Sequence, residues 1–198
     1  SPDRDLNKAE TFTKNAISLA STFEASDISS QLFWQLGRIN KVQGKTEAAI
    51  ASYTKAFDTL QSLRSDLVAI NPELQFSFRD SVQPVYRQLV ELNLDYASSL
   101  NKATDKQTEE KKDRLLTQAR NVIESLQVAE LNNFFREVCI DAKPIAIDTI
   151  DRSAAVIYPI ILRDRLQVLL SLPDRSPQLY TTEVKQEVLE NTIDEVQR

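Results

Sequence analysis

The chain has 198 residues, is 41% hydrophobic and 27% charged, and carries a net charge of −5, an ordinary globular composition with length for one domain or one and a half. Acids and bases interleave, and the densest charged run, EEKKDR at 109–114, mixes both signs; the basic stripe that a phosphate backbone needs is missing, which excludes nucleic acid as a partner. The longest apolar run, Ala154–Leu162, contains Pro159 and spans nine residues, against roughly 20 for a spanning helix, which excludes a membrane segment.

Single residue types narrow the chemistry further. Only two glycines occur, Gly37 and Gly44, which argues for long helices and against a glycine-turned all-β fold. The sole cysteine, Cys139, has no internal disulfide partner and suits a reducing cytoplasm. Histidine is absent, so the usual proton shuttle near neutral pH is missing. One cysteine without histidine leaves only carboxylates for a metal, and no metal or cofactor site is expected. Methionine is absent too, as expected of a piece of a longer chain.

In chain order, residues 5–23 place Leu6, Phe12, Ala16, Ile17, Leu19 and Ala20 at helical spacing. EASDISS then breaks the pattern, with Asp27 or Ser29 expected to cap the next helix. Residues 30–57, SQLFWQLGRINKVQGKTEAAIASYTKAF, carry the sharpest signal. Leu32, Phe33, Leu36 and Ile39 form one stripe. Gly37 sits inside that helix at a cost of roughly 1 kcal/mol against Ala, as expected where a second helix approaches closely. Gly44 ends the helix. Ala48, Ala49, Ile50, Tyr53, Ala56 and Phe57 form the apolar face of the next, with small Ala49 and Ala56 suited to close contact.

This pattern resembles a tetratricopeptide repeat, a 34-residue helix–turn–helix unit. With Leu36-Gly37 on the repeat's Leu-Gly pair, Phe33 takes the bulky aromatic position, and Ala49, Tyr53 and Ala56 take the Ala, aromatic and Ala positions. Asn40 stands where Tyr is common, and Gln61 lies near the place of the missing terminal Pro. The second helix is therefore expected to run on to Asn71-Pro72.

Further helices are expected over 80–100, with Pro84 in the first turn and Val85, Leu89, Leu92 and Tyr96 on one face, and over 112–138, with Leu115, Ala119, Val122, Leu126, Ala129 and Phe134 inward. NKATDKQTEE at 101–110 reads as a polar loop, and residues 141–152 as a loop or edge segment. From there the period changes to two. AAVIYPIIL forms one strand; RLQVLLSL forms the next, with Leu166, Val168, Leu170 and Leu172 on one face and Arg165, Gln167, Leu169 and Ser171 on the other. Arg163-Asp164 and PDRSP make the turns, QLYTTEV a third strand, and 185–198 a helix with Val188, Leu189, Ile193 and Val196 apolar. The fold class is thus mainly α with a small α+β tail: helical hairpins, then a short antiparallel meander and a helix. The tail is too small for an independent core.

The order of parts, with ESLQVAELNNFF leading into AVIYPIILRDRLQVLLSLP and LYTTEV, resembles cyanobacterial proteins in which such repeats precede a CHAT domain, a caspase-like cysteine peptidase module. The resemblance implies a repeat region over 1–140 and, over 141–198, the opening segment of a truncated CHAT domain. It implies a His/Cys dyad further downstream in a parent chain. With no histidine here, no dyad residue carries over and this chain is not expected to be an enzyme. Its implied role is protein–protein interaction and control of the C-terminal peptidase module. The alternative is a helical-repeat scaffold or adaptor with no peptidase connection.

The candidate partner-binding groove for a protein or peptide is Gln31, Trp34, Arg38 and Lys41, one helix face beside the repeat-signature residues Phe33, Leu36, Gly37, Gly44, Ala49, Tyr53 and Ala56. A tryptophan among cations has the composition of a binding hot spot. A plainer reading, favoured by the shortness of the array, packs Trp34 on the N-terminal helix. Cys139 reads as a partly buried structural cysteine. Unpaired strand edges in the tail invite pairing with a second copy.

Overall fold

A computed structural model describes residues 2–70, 82–101, 105–135 and 153–196. The elements are α1 (Pro2–Thr22), α2 (Ser26–Val42), α3 (Thr46–Ile70), α4 (Gln83–Ser99), α5 (Lys106–Phe135), β1 (Val156–Ile161), β2 (Arg165–Ser171), β3 (Gln178–Glu183) and α6 (Gln186–Val196). The protein is mainly helical with a small three-stranded antiparallel sheet and a C-terminal helix, the expected class. Cys139, the loop over 141–152, the boundary at 140/141 and the side chain of Phe134 lie outside the described residues.

The chain forms two compact units. One contains residues to Leu92 and the end of α5 from Ala129; the other contains Asn93–Val128, the sheet and α6.

In the first unit, α1, α2 and α3 are joined by three-residue turns built alike. At the end of α2, the amide of Lys45 donates to the carbonyl of Asn40 (2.9 Å) and that of Gly44 to Lys41 (3.1 Å), the paired bonds of a Schellman motif. Gly44 sits at φ +72, the left-handed region that glycine enters without a Cβ penalty. The end of α1 repeats the scheme: Ala25 donates to Ala20 (3.0 Å) and Glu24 to Ser21 (3.4 Å). There the left-handed position is filled by Glu24 at φ 52. Neither Asp27 nor Ser29 caps α2. Its N-cap is Ala25, which offers no side-chain bond, because the turn fixes the helix start through the backbone alone.

Between α2 and α3 the expected close approach is present. A Cβ built on Gly37 would lie 2.6 Å from Cδ2 and 2.8 Å from Cε2 of Tyr53. Ala49 and Ala56 are fully buried in the same seam, with Tyr53, Leu36 and Leu60. Asn40, in the place where the repeat favours Tyr, is also buried. Its amide donates to Ser52 Oγ (3.2 Å) and to the carbonyl of Ala48 (3.3 Å), so a polar staple replaces an aromatic contact. α3 runs on to Ile70, as the missing proline implies. In α4, Val85, Leu89 and Leu92 are buried as expected, and so are Tyr86 and Val90. Tyr86 meets the ring of Phe57 edge-on, with centroids 4.8 Å apart. The end of α5 joins this unit through Glu130, which accepts from Gln83 Nε2 (3.1 Å) and lies 3.6 Å from Arg87.

In the second unit, α5 begins at Lys106, inside the stretch expected to be a loop. Asp105 supplies the start: its carboxylate accepts from the Thr108 amide (3.0 Å) and hydroxyl (2.7 Å), satisfying an orphan donor of the first turn. Those bonds hold its pKa below the ordinary value. Hydrophobic periodicity misses this turn because residues 106–112 contain no apolar side chain. Leu115, Ala119, Val122 and Leu126 are buried as expected, with Leu116. Tyr96 of α4 packs its ring 4.6 Å from Lys111 Nζ.

The sheet has the order β1-β2-β3. β1 pairs with β2 so that Tyr158 faces Leu169, and β2 with β3 so that Leu169 faces Leu179. One face therefore carries Val156, Tyr158, Ile160, Arg165, Gln167, Leu169, Ser171 and Leu179. The other carries Ile157, Pro159, Ile161, Leu166, Val168, Leu170 and Tyr180. The first face is the buried one: Gln167, Leu169, Ser171 and Tyr158 are 5% exposed or less. The second is the more apolar, yet Ile157 and Tyr180 are more than half exposed, and Leu166, Val168 and Leu170 are only half-buried. α6 also leaves Val188, Ile193 and Val196 exposed.

Candidate partner-binding face

α2 brings Gln31, Trp34, Arg38 and Lys41 to one side because their spacing of three and four residues returns to the same helix face. Gln31, Arg38 and Lys41 are exposed, and Trp34 is half-buried. The guanidinium of Arg38 lies 5.6 Å from the centroid of the Trp34 ring, within cation–π range. On the adjoining side, Lys55 of α3 lies 5.4 Å over the Phe33 ring.

The indole N–H of Trp34 is tied to α4. It donates to Gln88 Oε1 at 2.9 Å, and the hydroxyl of Tyr53 donates to the same oxygen at 2.7 Å. One carboxamide oxygen thus gathers donors from α2 and α3. The plainer reading packs Trp34 on α1; its indole hydrogen bond runs to α4. Lys41 pairs with Glu91 of α4 at 3.7 Å. Burial is the main cause that pushes the Tyr53 hydroxyl up to about 12, with the nearby Glu91 adding to it against Arg38. Tyr53 therefore stays a neutral donor across the physiological range.

Of the repeat-signature residues, Tyr53 is the one tied to this face, through the Gln88 oxygen it shares with Trp34. Leu36, Gly37, Ala49, Tyr53 and Ala56 are buried, Phe33 is half-buried, and Gly44 is exposed at the turn. Gln88 and Glu91 are the residues that sequence reasoning missed. Gln88 stands beside the apolar Leu89 with nothing in the sequence to mark it, since its two donors come from 35 and 54 residues away.

This arrangement can bind through a ring whose polar edge is already satisfied and whose neighbours offer cations. The hydrogen bond to Gln88 fixes the ring's orientation, which lowers the entropy lost when a partner packs on it. Among the described residues, no group of three or more Cys, Asp or Glu stands together where it could hold a metal ion. Among the same residues, no helix is long and apolar enough to cross a membrane. Compared with family models, curated proteins and solved structures, the chain matches none.

Proposed function

We propose that this chain is the protein–protein interaction and regulatory region of a caspase-like cysteine peptidase, itself without the catalytic dyad, working in a reducing cytoplasm. The hairpins α1–α3 form a tetratricopeptide-like docking array, and a protein or peptide partner takes the face of Gln31, Trp34, Arg38 and Lys41. The sheet and α6 open the CHAT module, whose later part carries the chemistry.

The observation that best supports this reading is the sheet's open side. Ile157, Pro159, Ile161, Leu166, Val168, Leu170 and Tyr180 share it. Two layers packed on one sheet are the normal way to bury such a face, and a downstream module would supply the second.

The test is the coding sequence beyond Arg198. A histidine and a cysteine there, each following an apolar strand-like run, support the reading. A stop codon soon after Arg198, or a downstream sequence without both residues, overturns it in favour of a scaffold. Peptide-library incubation of the 198-residue chain itself is expected to yield no cleavage.

A further inference from the structure

The first helix carries a surface that the docking array does not use. Phe12, Leu19 and Phe23 are 70%, 62% and 78% exposed. Ala16, half-buried, lies between them. At about 100° per residue Phe12, Ala16 and Leu19 fall within roughly 60° of the helix circumference, and Phe23, the first residue of the turn after α1, extends this narrow stripe through its amide bond to the Leu19 carbonyl (3.3 Å). The adjoining flank of α1 is engaged: Thr13 and Ala20 are buried, and further round the helix Glu10 is ion-paired with Lys14 and Lys45.

No charged residue occurs between Lys14 and Glu24. Aromatic enrichment with charge depletion is the composition of an interface centre, not of a solvated helix face. A solvated face would carry Lys and Glu at these positions.

The stripe is also symmetric in its spacing. Phe12, Ala16, Leu19 and Phe23 are separated by four, three and four residues. Laid antiparallel on a copy of itself, it sets Phe12 against the partner's Phe23 and Ala16 against the partner's Leu19. Large therefore meets small at the middle, and ring meets ring at both ends. The ends differ in charge. Lys8 lies one turn before Phe12 and Asp5 a turn before that, while Glu24 and Asp27 follow Phe23; all four are exposed. An antiparallel pair brings Lys8 of each copy toward the acidic end of the other. A two-fold interface must be self-complementary, and this stripe meets that condition.

We propose that α1 is the contact element of an antiparallel, two-fold homodimer centred between Ala16 and Leu19. This dimer involves no residue of the sheet and does not depend on the peptidase reading. A single helix pair buries less than the roughly 1,600 Å² of a standard interface, so the dissociation constant is expected to be on the order of micromolar.

Sedimentation of the 198-residue chain over a concentration series tests it. A monomer–dimer equilibrium is expected, and Leu19→Glu should raise the dissociation constant at least about tenfold. Circular dichroism of Leu19→Glu should be unchanged, since the side chain is 62% exposed. The orientation is tested in a Cys139→Ser background with two single variants, Phe12→Cys and Phe23→Cys. Mixed together under oxidising conditions they should cross-link. Neither should cross-link alone, because positions 12 and 23 on one helix are roughly 16 Å apart. A chain that stays monomeric at every soluble concentration overturns the proposal. So does a dimer that survives Leu19→Glu, which would point to the strand edges. So does cross-linking of Phe12→Cys with itself, which would mean a parallel pair.

Discussion

The helical hairpins and the sheet obey the hydrophobic effect in opposite ways. In α2 and α3 the face that is apolar in sequence is the face that is buried: Leu36, Ala49, Tyr53, Ala56 and Leu60. In β2 the alternation assigns Leu166, Val168 and Leu170 to one side, yet Gln167, Leu169 and Ser171 on the other are the buried set. The difference lies in what stands opposite. A helix in a short hairpin meets its sequence neighbour across a three-residue turn, and apolar stripes find each other. The sheet is held by a polar ridge on α5. Asp113 accepts from Ser176 (2.6 Å), Arg120 donates to Ser171 (3.0 Å), and Glu124 accepts from Tyr158 (2.5 Å). These three positions are spaced seven and four apart on α5, one face of the helix. From α4, Asp95 adds an ion pair to Arg165 at 2.5 Å. Two of the α5 bonds, to Ser171 and Tyr158, fall on the sheet's less apolar inner face with the Asp95–Arg165 pair, and the third holds the turn between β2 and β3.

The sharpest way to break this contrast is a pair of neighbouring truncations. Leu169→Ala removes a fully buried side chain and is expected to cost about 2–5 kcal/mol. Leu170→Ala, half-buried on the other face, should cost only about 1 kcal/mol, in proportion to the area it hides. Urea midpoints for the two variants decide the matter. Equal losses would mean that the apolar face is covered in solution, and the inverted sheet would not stand.

Next in size is Gly37→Ala in the helical seam. Alanine is the better helix former by roughly 1 kcal/mol, so a helix with no close neighbour would gain. Here the new methyl meets the Tyr53 ring at 2.6 Å, inside any real contact, and the expected net effect is a loss of about 1–3 kcal/mol. Because the clash is with one side chain, Gly37→Ala combined with Tyr53→Ala should be strongly non-additive. Additive losses in denaturant unfolding would place the cost elsewhere than at this contact.

These two sites mark how far the sequence could be read. Gly37 and its seam were legible because helical periodicity, a mid-helix glycine and small alanines all point to one close contact between neighbours in the chain. The strands and their turns were legible from period-two alternation. The inner face of the sheet was not, because its side-chain bonds come from Arg120 and Glu124, ordinary charged residues more than 30 positions away in the chain. The first turn of α5 was hidden for a related reason: Asp105 makes it, and periodicity counts only apolar residues. In the candidate face, the α2 residues were legible as a stripe. Their anchor was not, because a glutamine accepting from two aromatic side chains has no local signature.

A smaller effect separates the two turns of the helical hairpins, which share hydrogen bonds but not residue type. Gly44→Ala puts a Cβ at φ +72 and should cost about 1 kcal/mol. Glu24→Gly relieves the same strain at φ 52 and should stabilise by a few tenths of a kcal/mol, about 1 at most, with part of the gain offset by the looser unfolded chain. Thermal midpoints shifting in the same direction for both variants would show that the turns are not equivalent.

The smallest expected effect is a pH dependence confined to the helical hairpins. Glu10 of α1 lies 2.6 Å from Lys14 and 2.9 Å from Lys45, which sits in the turn between α2 and α3. The hydrogen bond from Lys14, then that from Lys45, holds the carboxyl at about 2 against an ordinary 4.5. A carboxylate with a lowered folded pKa contributes stability that is present above about 4.5 and is lost as pH falls toward 2. Both lysine side chains are about half exposed, so solvent screens the pairs and the contribution is a few tenths of a kcal/mol to about 1. Asp105 is also held below its ordinary value, so the comparison must be with Glu10→Gln. The wild-type chain should exceed that variant in stability at pH 6 and converge with it near pH 2, and the gap at pH 6 should shrink in 1 M salt. A gap that persists unchanged at pH 2 would assign the effect of Glu10 to packing of its side-chain stem rather than to its charge.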